Sequence, residues 1–308
     1  FIAPYSNTYS NRDMAYAPPS KIYTIDENGK FSRPYTYNYI REYEPSLMQT
    51  VFKQDRSHKY YLKLFCHGHL FGVQDGGQIY LLGTDINGRD VFSRLLFGGR
   101  ISMTVGFLSL LIVFPIGLIY GGISGYYGGI VDTLMMRFAE AIMAIPSFYL
   151  LIILAAILPS GMTSVQRFAL IVVILALIGW SGFARVVRGM VLSIKNEDFV
   201  QAEKTIGASD WRIIMKHILP QTTSYVIIAM TLSVPSYILA ESGLSFLGLG
   251  IQQPDASWGN MLKEAQEFTN IFYRPWLLTP GALIFIAVLS FNLLGDAIRD
   301  ILDPKSQR

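Results

Sequence analysis

From Ile101 onward the chain is organised by long apolar runs separated by short polar breaks, and before Ile101 it is not. The runs cover Ile101 to Tyr120, Asp132 to Leu158, Phe168 to Phe183, Gln221 to about Leu239, and Leu277 to Leu294. A helix crossing the hydrocarbon core needs ~20 mainly apolar residues, so the pattern predicts five membrane spans. The first is expected to end at the glycine-rich stretch Gly121 to Gly129, and Pro146 is expected to kink the second. Residues 1–82 read differently: rich in Tyr, Asn, Pro and charges of both signs, they contain no apolar run of spanning length. Arg33-Pro34-Tyr35-Thr36-Tyr37 predicts extended chain, and Asp26-Glu27-Asn28-Gly29-Lys30 a hairpin turn. The domains expected are therefore an α+β or β-rich insert, 1–82, and a membrane domain, 83–308.

Two polar stretches interrupt this plan. Between the third and fourth runs, Phe199 to Ile206 has the propensity of a short helix, and Gly207 breaks it at a residue that tolerates positive φ. Asp210 then stands where an N-cap is expected. Trp211, Ile214, Met215 and Ile218 are spaced as one apolar stripe of a second helix, which Pro220 is expected to stop. A piece this short cannot bury a core of its own and must dock on something. The other stretch runs from Gly83 to Ser102. Asp85 with Asn87-Gly88 predicts a turn, with Asp90 in the first turn of a helix. Val91, Leu95 and Leu96 lie on one side and Arg89, Ser93, Arg94 and Arg100 on the other, the pattern of a helix in the membrane interface.

Composition agrees with a polytopic membrane protein, since 51% of residues are apolar and 15% charged. No basic stripe interleaves with aromatics, so nucleic acid is not an expected partner. Cys66 is the only cysteine, which excludes an internal disulfide. Cys66-His67-Gly68-His69 lacks the spacing of a structural zinc site, and no metal is expected. A phosphate-binding G-x-x-x-x-G-K-[ST] loop and an H-E-x-x-H pair are both absent, and Gly243-Leu244-Ser245-Phe246-Leu247 fails the G-x-S-x-G elbow at its last position. An enzyme is not expected.

Lysines and arginines set the orientation. Arg185, Arg188, Lys195, Lys204, Arg212 and Lys216 crowd the 185–220 segment, which is predicted to be a cytoplasmic loop together with the tail holding Arg299, Lys305 and Arg308. Alternation through the spans then puts residues 1–100 outside. Within the spans, Arg137 and Glu140 can pair on one helix face. Glu241, at the outer end of the fourth span, can line the pore mouth or cap the next short helix. In the outer loop, Asp255 and Ser257 can cap, and Trp258 can anchor at headgroup level.

Gln201-Ala202-Glu203, Gly207, Ile213, His217, Leu219 and Pro220 resemble the EAA loop of ABC importer permeases. Gln201 replaces the usual glutamate there, and Glu203 the second alanine. The stretch GTDINGRDVFSR from Gly83, and the turn Pro254-Asp255-Ala256-Ser257-Trp258-Gly259, resemble the oligopeptide, dipeptide and nickel permease family, in particular its second-position subunits, over nearly all of Leu82 to Pro304. The resemblance implies an all-α type I ABC importer transmembrane domain, with a sixth span preceding Phe1. It implies as partners a second permease subunit completing a pseudo-two-fold pore, two ABC ATPase subunits inside, a substrate-binding protein outside, a peptide substrate and the lipid bilayer. ATP and Mg would sit on the ATPases, leaving this chain without a cofactor. Ala202, Glu203 and Gly207 would make the closest ATPase contact, and Glu241, Asp255 and Trp258 are candidates for the pore or outer gate. Nickel or another small solute carried by the same family, and a secondary transporter, remain the competing expectations.

Overall fold

The computed structural model describes residues 2–26, 29–45, 49–66, 69–73, 76–159 and 161–302. Among the described residues, six strands come first: β1 Tyr23–Ile25, β2 Phe31–Thr36, β3 Tyr39–Glu44, β4 Gln49–Gln54, β5 Tyr60–Cys66 and β6 His69–Val73. The helices follow as α1 Val91–Tyr127, α2 Gly129–Met143, α3 Ser147–Ala156, α4 Ser164–Ile194, α5 Asp198–Thr205, α6 Asp210–Arg212, α7 Thr223–Phe246, α8 Trp258–Leu262, α9 Phe268–Tyr273 and α10 Thr279–Leu302. Among the described residues, four helical segments are long and apolar enough to cross a membrane: Val91–Tyr127, Ser164–Ile194, Asp210–Phe246 and Pro275–Leu302. The pair α2 and α3 makes a fifth if counted as one span, bent by 75° at its break. The chain divides into two compact units, Phe1–Ser102 with Ser245–Leu283, and Met103–Leu244 with Ile284–Arg308. The unit holding residues 1–82 thus also takes in 83–102 and the 245–283 segment.

In the first unit, β1, β2, β5 and β6 form an antiparallel sheet in that order, and β3 and β4 a separate hairpin in continuous register from Tyr39↔Gln54 to Glu44↔Gln49. Tyrosine favours the pleated, half-buried surface of a sheet, and Tyr35, Tyr37 and Tyr39 are buried. Pro34 lies inside β2, where it has no N–H for the ladder. The register jumps there, from Tyr23↔Tyr35 to Ile25↔Phe31, which is the irregularity a strand proline requires. The expected hairpin turn after β1 is closed by Asp26 N–H donating to the Lys30 carbonyl at 2.9 Å. Its Glu27 and Asn28, like His67, Gly68, Lys305 and Arg308, lie outside the described residues.

The Gly83 to Ser102 stretch departs from the interfacial reading, because its polar side is buried as far as Arg94, and only Arg100 of that side is exposed. Asp85 is 4% exposed, Arg89 6%, Ser93 1% and Arg94 2%. Asp85 accepts from the Asn87 and Arg89 amides at 2.8 and 3.0 Å and from Arg89 Nε at 2.6 Å, which closes the turn and pairs the charge. Arg94 Nε stands 3.5 Å from the same carboxylate, and its Nη1 donates to the Pro254 carbonyl at 3.0 Å. Asp90 is the N-cap of α1 rather than part of its first turn, accepting from Ser93 N–H at 2.7 Å. A polar stripe facing buried ion pairs has the same period as one facing headgroups, so periodicity alone could not separate them.

In the second unit, the first of the glycines expected to end the first span, Gly121, Gly122 and Gly125, instead continue it, and the helix ends later in the same stretch. Gly117, Gly121 and Gly125 recur every fourth residue along α1 and bring it onto α4. A Cβ at Gly117 would meet Phe183 Cδ1 at 2.6 Å, one at Gly121 the Ala184 carbonyl oxygen at 2.4 Å, and one at Gly125 the Arg188 carbonyl oxygen at 2.8 Å. Small residues in this spacing let two helix backbones approach where lipid offers no hydrophobic driving force. α1 stops only at Tyr127, where Gly128 takes φ +66°. Lys195 Nζ donates to the carbonyls of Gly125 and Tyr126 at 2.9 and 3.3 Å, a cation on the last turn's unsatisfied oxygens. Pro146 does more than kink the second run: it begins a separate helix after a full break. α4 exceeds the expected third run at both ends, so Arg185 and Arg188 belong to a helix and not to a loop. Arg188 holds Asp132 of α2 through both guanidinium edges, with Nε at 2.8 Å, and Ser124 Oγ donates to the same carboxylate at 2.6 Å.

Two outcomes follow from this packing. Gly121→Val should lower the thermal unfolding midpoint of the purified chain in detergent by the equivalent of about 1–3 kcal/mol, the usual cost of overpacking. Gly189→Ala, at an α4 position where a Cβ meets nothing within 4 Å, should not lower it. Burial foremost, with Asp85 nearby, lifts the Glu264 carboxyl from 4.5 to about 7, and burial lifts Asp90 from 3.8 to about 6. Folded values raised in this way stabilise the fold below the unfolded pKa and lose that contribution as pH rises through 6 to 7. The unfolding midpoint should therefore be higher at pH 5 than at pH 8, and Glu264→Gln should flatten the difference.

Candidate functional site

The polar segment after α4 folds as a helix, a glycine reversal and a second helix, each closed by a local rule. α5 covers Asp198–Thr205, and Gly207 follows with φ +81°. Ala208 N–H bonds the Glu203 carbonyl and Gly207 N–H the Lys204 carbonyl, both at 3.0 Å. These two bonds are the Schellman closure, which needs a left-handed residue at Gly207. A Cβ there would meet nothing within 4 Å of this chain. Backbone conformation alone therefore accounts for the glycine within the subunit.

The second helix differs from expectation in its start, its register and its end. Ser209 occupies the N-cap position, and the Asp210 carboxylate is instead held by Tyr126 Oη, which donates to it at 2.7 Å. Ile213–Ile218 is π-helical, with Leu219 N–H reaching the Ile214 carbonyl. Wider turns put residues five apart on one face. The buried set is accordingly Ile213, Ile214, Ile218 and Leu219, while Trp211 is 54% and Met215 37% exposed. Pro220 does not stop the helix: it sits at the start of a 3₁₀ turn, Leu219–Thr222, that leads straight into α7. A proline's missing N–H costs little at the first positions of a turn, where that donor has no partner in any case.

The segment docks on the end of the α1/α4 pair. Val200, Ile213, Ile214, Ile218 and Leu219 pack with Tyr126 of α1 and Val187 and Val191 of α4 in one buried cluster. Gly122 of α1 makes room for it, since a Cβ there would stand 3.2 Å from Leu219 Cδ2 and 3.3 Å from Ile214 Cγ2. Gln201 Nε2 donates to the Lys195 carbonyl at 3.0 Å, a bond that the glutamate it replaces could not make. Glu203 Oε1 lies 3.5 Å from His217 Nε2, so the two half-buried residues form an ion pair whenever the imidazole is protonated. Lys204 Nζ sits 5.1 Å from the centre of the Tyr126 ring.

The structure thus gathers all eight sequence-selected residues of this segment but assigns them to two faces. Gln201, Ala202, Gly207 and Pro220 are exposed, Ile213 and Leu219 are buried in the base, and Glu203 and His217 lie between. Sequence reasoning missed the outer apolar patch, where Ile206 is 78% exposed beside Gly207 and Trp211 54%. The available signal was an isoleucine placed directly before a left-handed glycine, a position with no helix face to bury it.

Glu241, Asp255 and Trp258 sit elsewhere. Glu241, in α7, is fully buried beside Ser242, whose Oγ is 3.4 Å from its carboxylate. Asp255 accepts from Asn7 Nδ2 at 3.1 Å. The capping falls to Ser257, which exchanges bonds with Asn260 at the start of α8. Trp258 is not a headgroup anchor: it is 4% exposed, its Nε1–H donates to the Leu95 carbonyl at 3.0 Å, and it rests on Gly99. Ser245, from the near-miss elbow motif, uses its Oγ to accept from Ile251 N–H at 3.0 Å.

Several spanning helices and a polar double helix wedged under two of them define a multi-pass membrane protein that presents a fixed apolar platform beside its bilayer core. Residues 114–308 match the family described as binding-protein-dependent transport system inner membrane component. The chain belongs to that family. It is 47% identical over 228 residues to the dipeptide transport system permease protein DppC of Bacillus subtilis, covering 73% of this chain and 69% of that one. Over 225 residues it is 41% identical to the glutathione transport system permease protein GsiD of Pectobacterium atrosepticum, covering 73% and 72%. The fold matches a chain of the inward-facing MetNI methionine ABC transporter with a TM-score of 0.53 at 19% identity, over 69% of this chain and 97% of that one.

Gln201→Glu tests the base of the platform. It replaces a donor with an acceptor facing the Lys195 carbonyl, and should cost about 1 kcal/mol, the net worth of such a bond. The check is the unfolding midpoint in detergent, with Gln201→Ala, which loses the bond without adding a facing acceptor, expected to cost no more.

Proposed function

We propose that this chain is one half of the translocation pore of an ATP-driven importer of peptides, and that its 201–220 segment is where cytoplasmic ATPases push. The observation that carries this reading is the platform itself. Its inner face is fixed to α1 and α4 by a buried apolar cluster, while its outer face offers Ile206, Trp211 and Met215 to something not of this chain. Large apolar side chains left exposed on a buried base in this way fit a partner site. Similarity to permease subunits of dipeptide and glutathione transport systems supports peptides as the substrate class. A second permease subunit would complete the pore, ATP and Mg would bind on the ATPases, and a substrate-binding protein would deliver peptide to the opposite side.

In mechanism, closure of the ATPases displaces the platform, and the platform carries two levers. One is the uninterrupted helix from Asp210 to Phe246. The other is α4, tied to the platform by the Gln201 bond and the shared core. Packed helices of this kind move as bodies between discrete arrangements. The Lys and Arg excess of 185–220 favours the cytoplasmic side for the platform, and residues 1–100 then face outward.

The test is affinity co-purification with Ile206→Asp and Gly207→Arg. Ile206→Asp changes only an exposed side chain, so the variant should insert and keep its second permease while losing the ATPases and peptide-stimulated ATP hydrolysis. Gly207→Arg should lose them too, because it also forces a side chain into φ +81°. Retention of the ATPases by both variants would remove the platform from the coupling path.

A further inference from the structure

The first unit contains a basin that none of the roles described so far uses. It has a volume of about 570 Å³ and is walled by the β3–β4 hairpin, through Arg41, Thr50 and Phe52, and by Tyr16, Arg274 and Trp276. That volume lies within the range that holds a small organic ligand. Four aromatic residues, Tyr16, Phe52, Tyr273 and Trp276, and two arginines line it, and among the described residues no carboxylate does.

Its cationic side is built, not incidental. The Arg274 guanidinium carbon stacks 3.7 Å from the centre of the Tyr16 ring, and its Nη1 donates to Asn270 Oδ1. Asn270 is 1% exposed and is itself pinned by its Nδ2 donating to the Glu264 carbonyl at 2.7 Å. Tyr16 is held at φ +61°, a left-handed conformation that a bulky residue adopts only when its surroundings require it. Its amide donates to the Asp85 carbonyl at 3.0 Å, and Trp276 Nε1–H to the Thr84 carbonyl at 3.1 Å. The stack and its flanking ring are thus fixed to the turn that carries the buried ion pairs. Opposite in register, Arg41 of β3 pairs with Phe52 of β4, which sets a guanidinium beside a ring on the hairpin wall. Among the described residues, neither Arg41 nor Arg274 has a carboxylate within ion-pair distance.

Guanidinium forks match carboxylates, and aromatic walls match apolar side chains. We infer that this basin binds the C-terminal end of a peptide, with the free carboxylate on Arg41 and Arg274 and the last side chain against Tyr16, Phe52 and Trp276. A concave basin of this size favours a small ligand over the flatter contact of a protein surface. The inference rests on the peptide reading above and adds to it a peptide site on the permease itself, outside the spans.

Calorimetric titration of the full chain in lipid nanodiscs tests it, using the tripeptide Ala-Phe-Leu as free acid and as C-terminal amide. The acid should bind and the amide at least about tenfold more weakly, the loss expected when a charge-assisted bond of about 1.5–3 kcal/mol is removed. Arg41→Gln, an exposed strand position whose change should not disturb folding, should weaken the acid to the level of the amide and leave the amide unchanged. Arg274→Gln should do the same. Equal affinity of acid and amide would overturn the inference, as would absence of binding by both. If neither peptide binds while Arg41→Gln weakens association of a purified substrate-binding protein, the basin receives an acidic protein surface instead, and the peptide site is wrong. Loss of the ATPases from Ile206→Asp is read separately, so the coupling assignment and the basin can fail independently.

Discussion

The approach of α1 to α4 is the constraint from which the rest of the second unit follows. At Gly121 and Gly125 the Ala184 and Arg188 carbonyls lie where any Cβ would collide, and at Gly117 the Phe183 ring does. Contact this close fixes the relative height of two helices as well as their distance. The C-terminal turn of α1 is thereby set level with Arg188, Val191 and Lys195 of α4. Lys195 can then close α1, Tyr126 can reach Asp210, and Gly122 can admit Leu219. The platform is a consequence of that level, because its buried face is drawn from both helices and exists only where both end together.

Charge reinforces the same arrangement where apolar contact runs out. Asp132 of α2 is gripped from α4 by Arg188 and from α1 by Ser124, so one carboxylate ties three helices. An ion pair in such surroundings contributes little net stability, yet losing either partner would leave a charge without its counter-ion. Its value lies in specificity of arrangement. Glu140 of the same helix meets both Arg137 at 3.1 Å and Arg185 of α4 at 3.5 Å, and these pairs are largely exposed and worth correspondingly less.

Much of this was legible before the structure, and what was not has identifiable physical causes. Apolar length located the four long helices, because a run of that length suits a helix crossing hydrocarbon, and Gly207 announced the reversal because few residues accept its conformation. Glycines in α1 were misread as a stop. Propensity in water treats glycine as a helix breaker, whereas a membrane helix with a close neighbour uses it for approach. Pro220 was misread for a related reason, because a local π and 3₁₀ adjustment absorbs a proline that an ideal α-helix would reject. Once the turn widened, the apolar stripe moved from Trp211 and Met215 to Ile213 and Leu219, and two residues predicted to face inward became part of the outer patch. The polar face of Arg89 to Arg94 was misplaced because its buried partners, Pro254 and Glu264, are remote in sequence.

Continuity across Pro220 changes how the 201–220 segment joins the span after it. A proline stop would leave a flexible joint between a docked helix and the span after it, and a displacement at Trp211 would be lost in that joint. The observed helix runs unbroken through 37 residues from Asp210 to Phe246, a rod of about 55 Å at 1.5 Å per residue. Movement at one end of a rod reappears at the other, provided that its near end is held. The buried isoleucines provide that hold on α1 and α4, and the wide turn that buries them is the same one that lets the rod pass Pro220. The buried base and the continuity of the rod therefore share a single local distortion, and a sequence that straightened the π stretch would lose both.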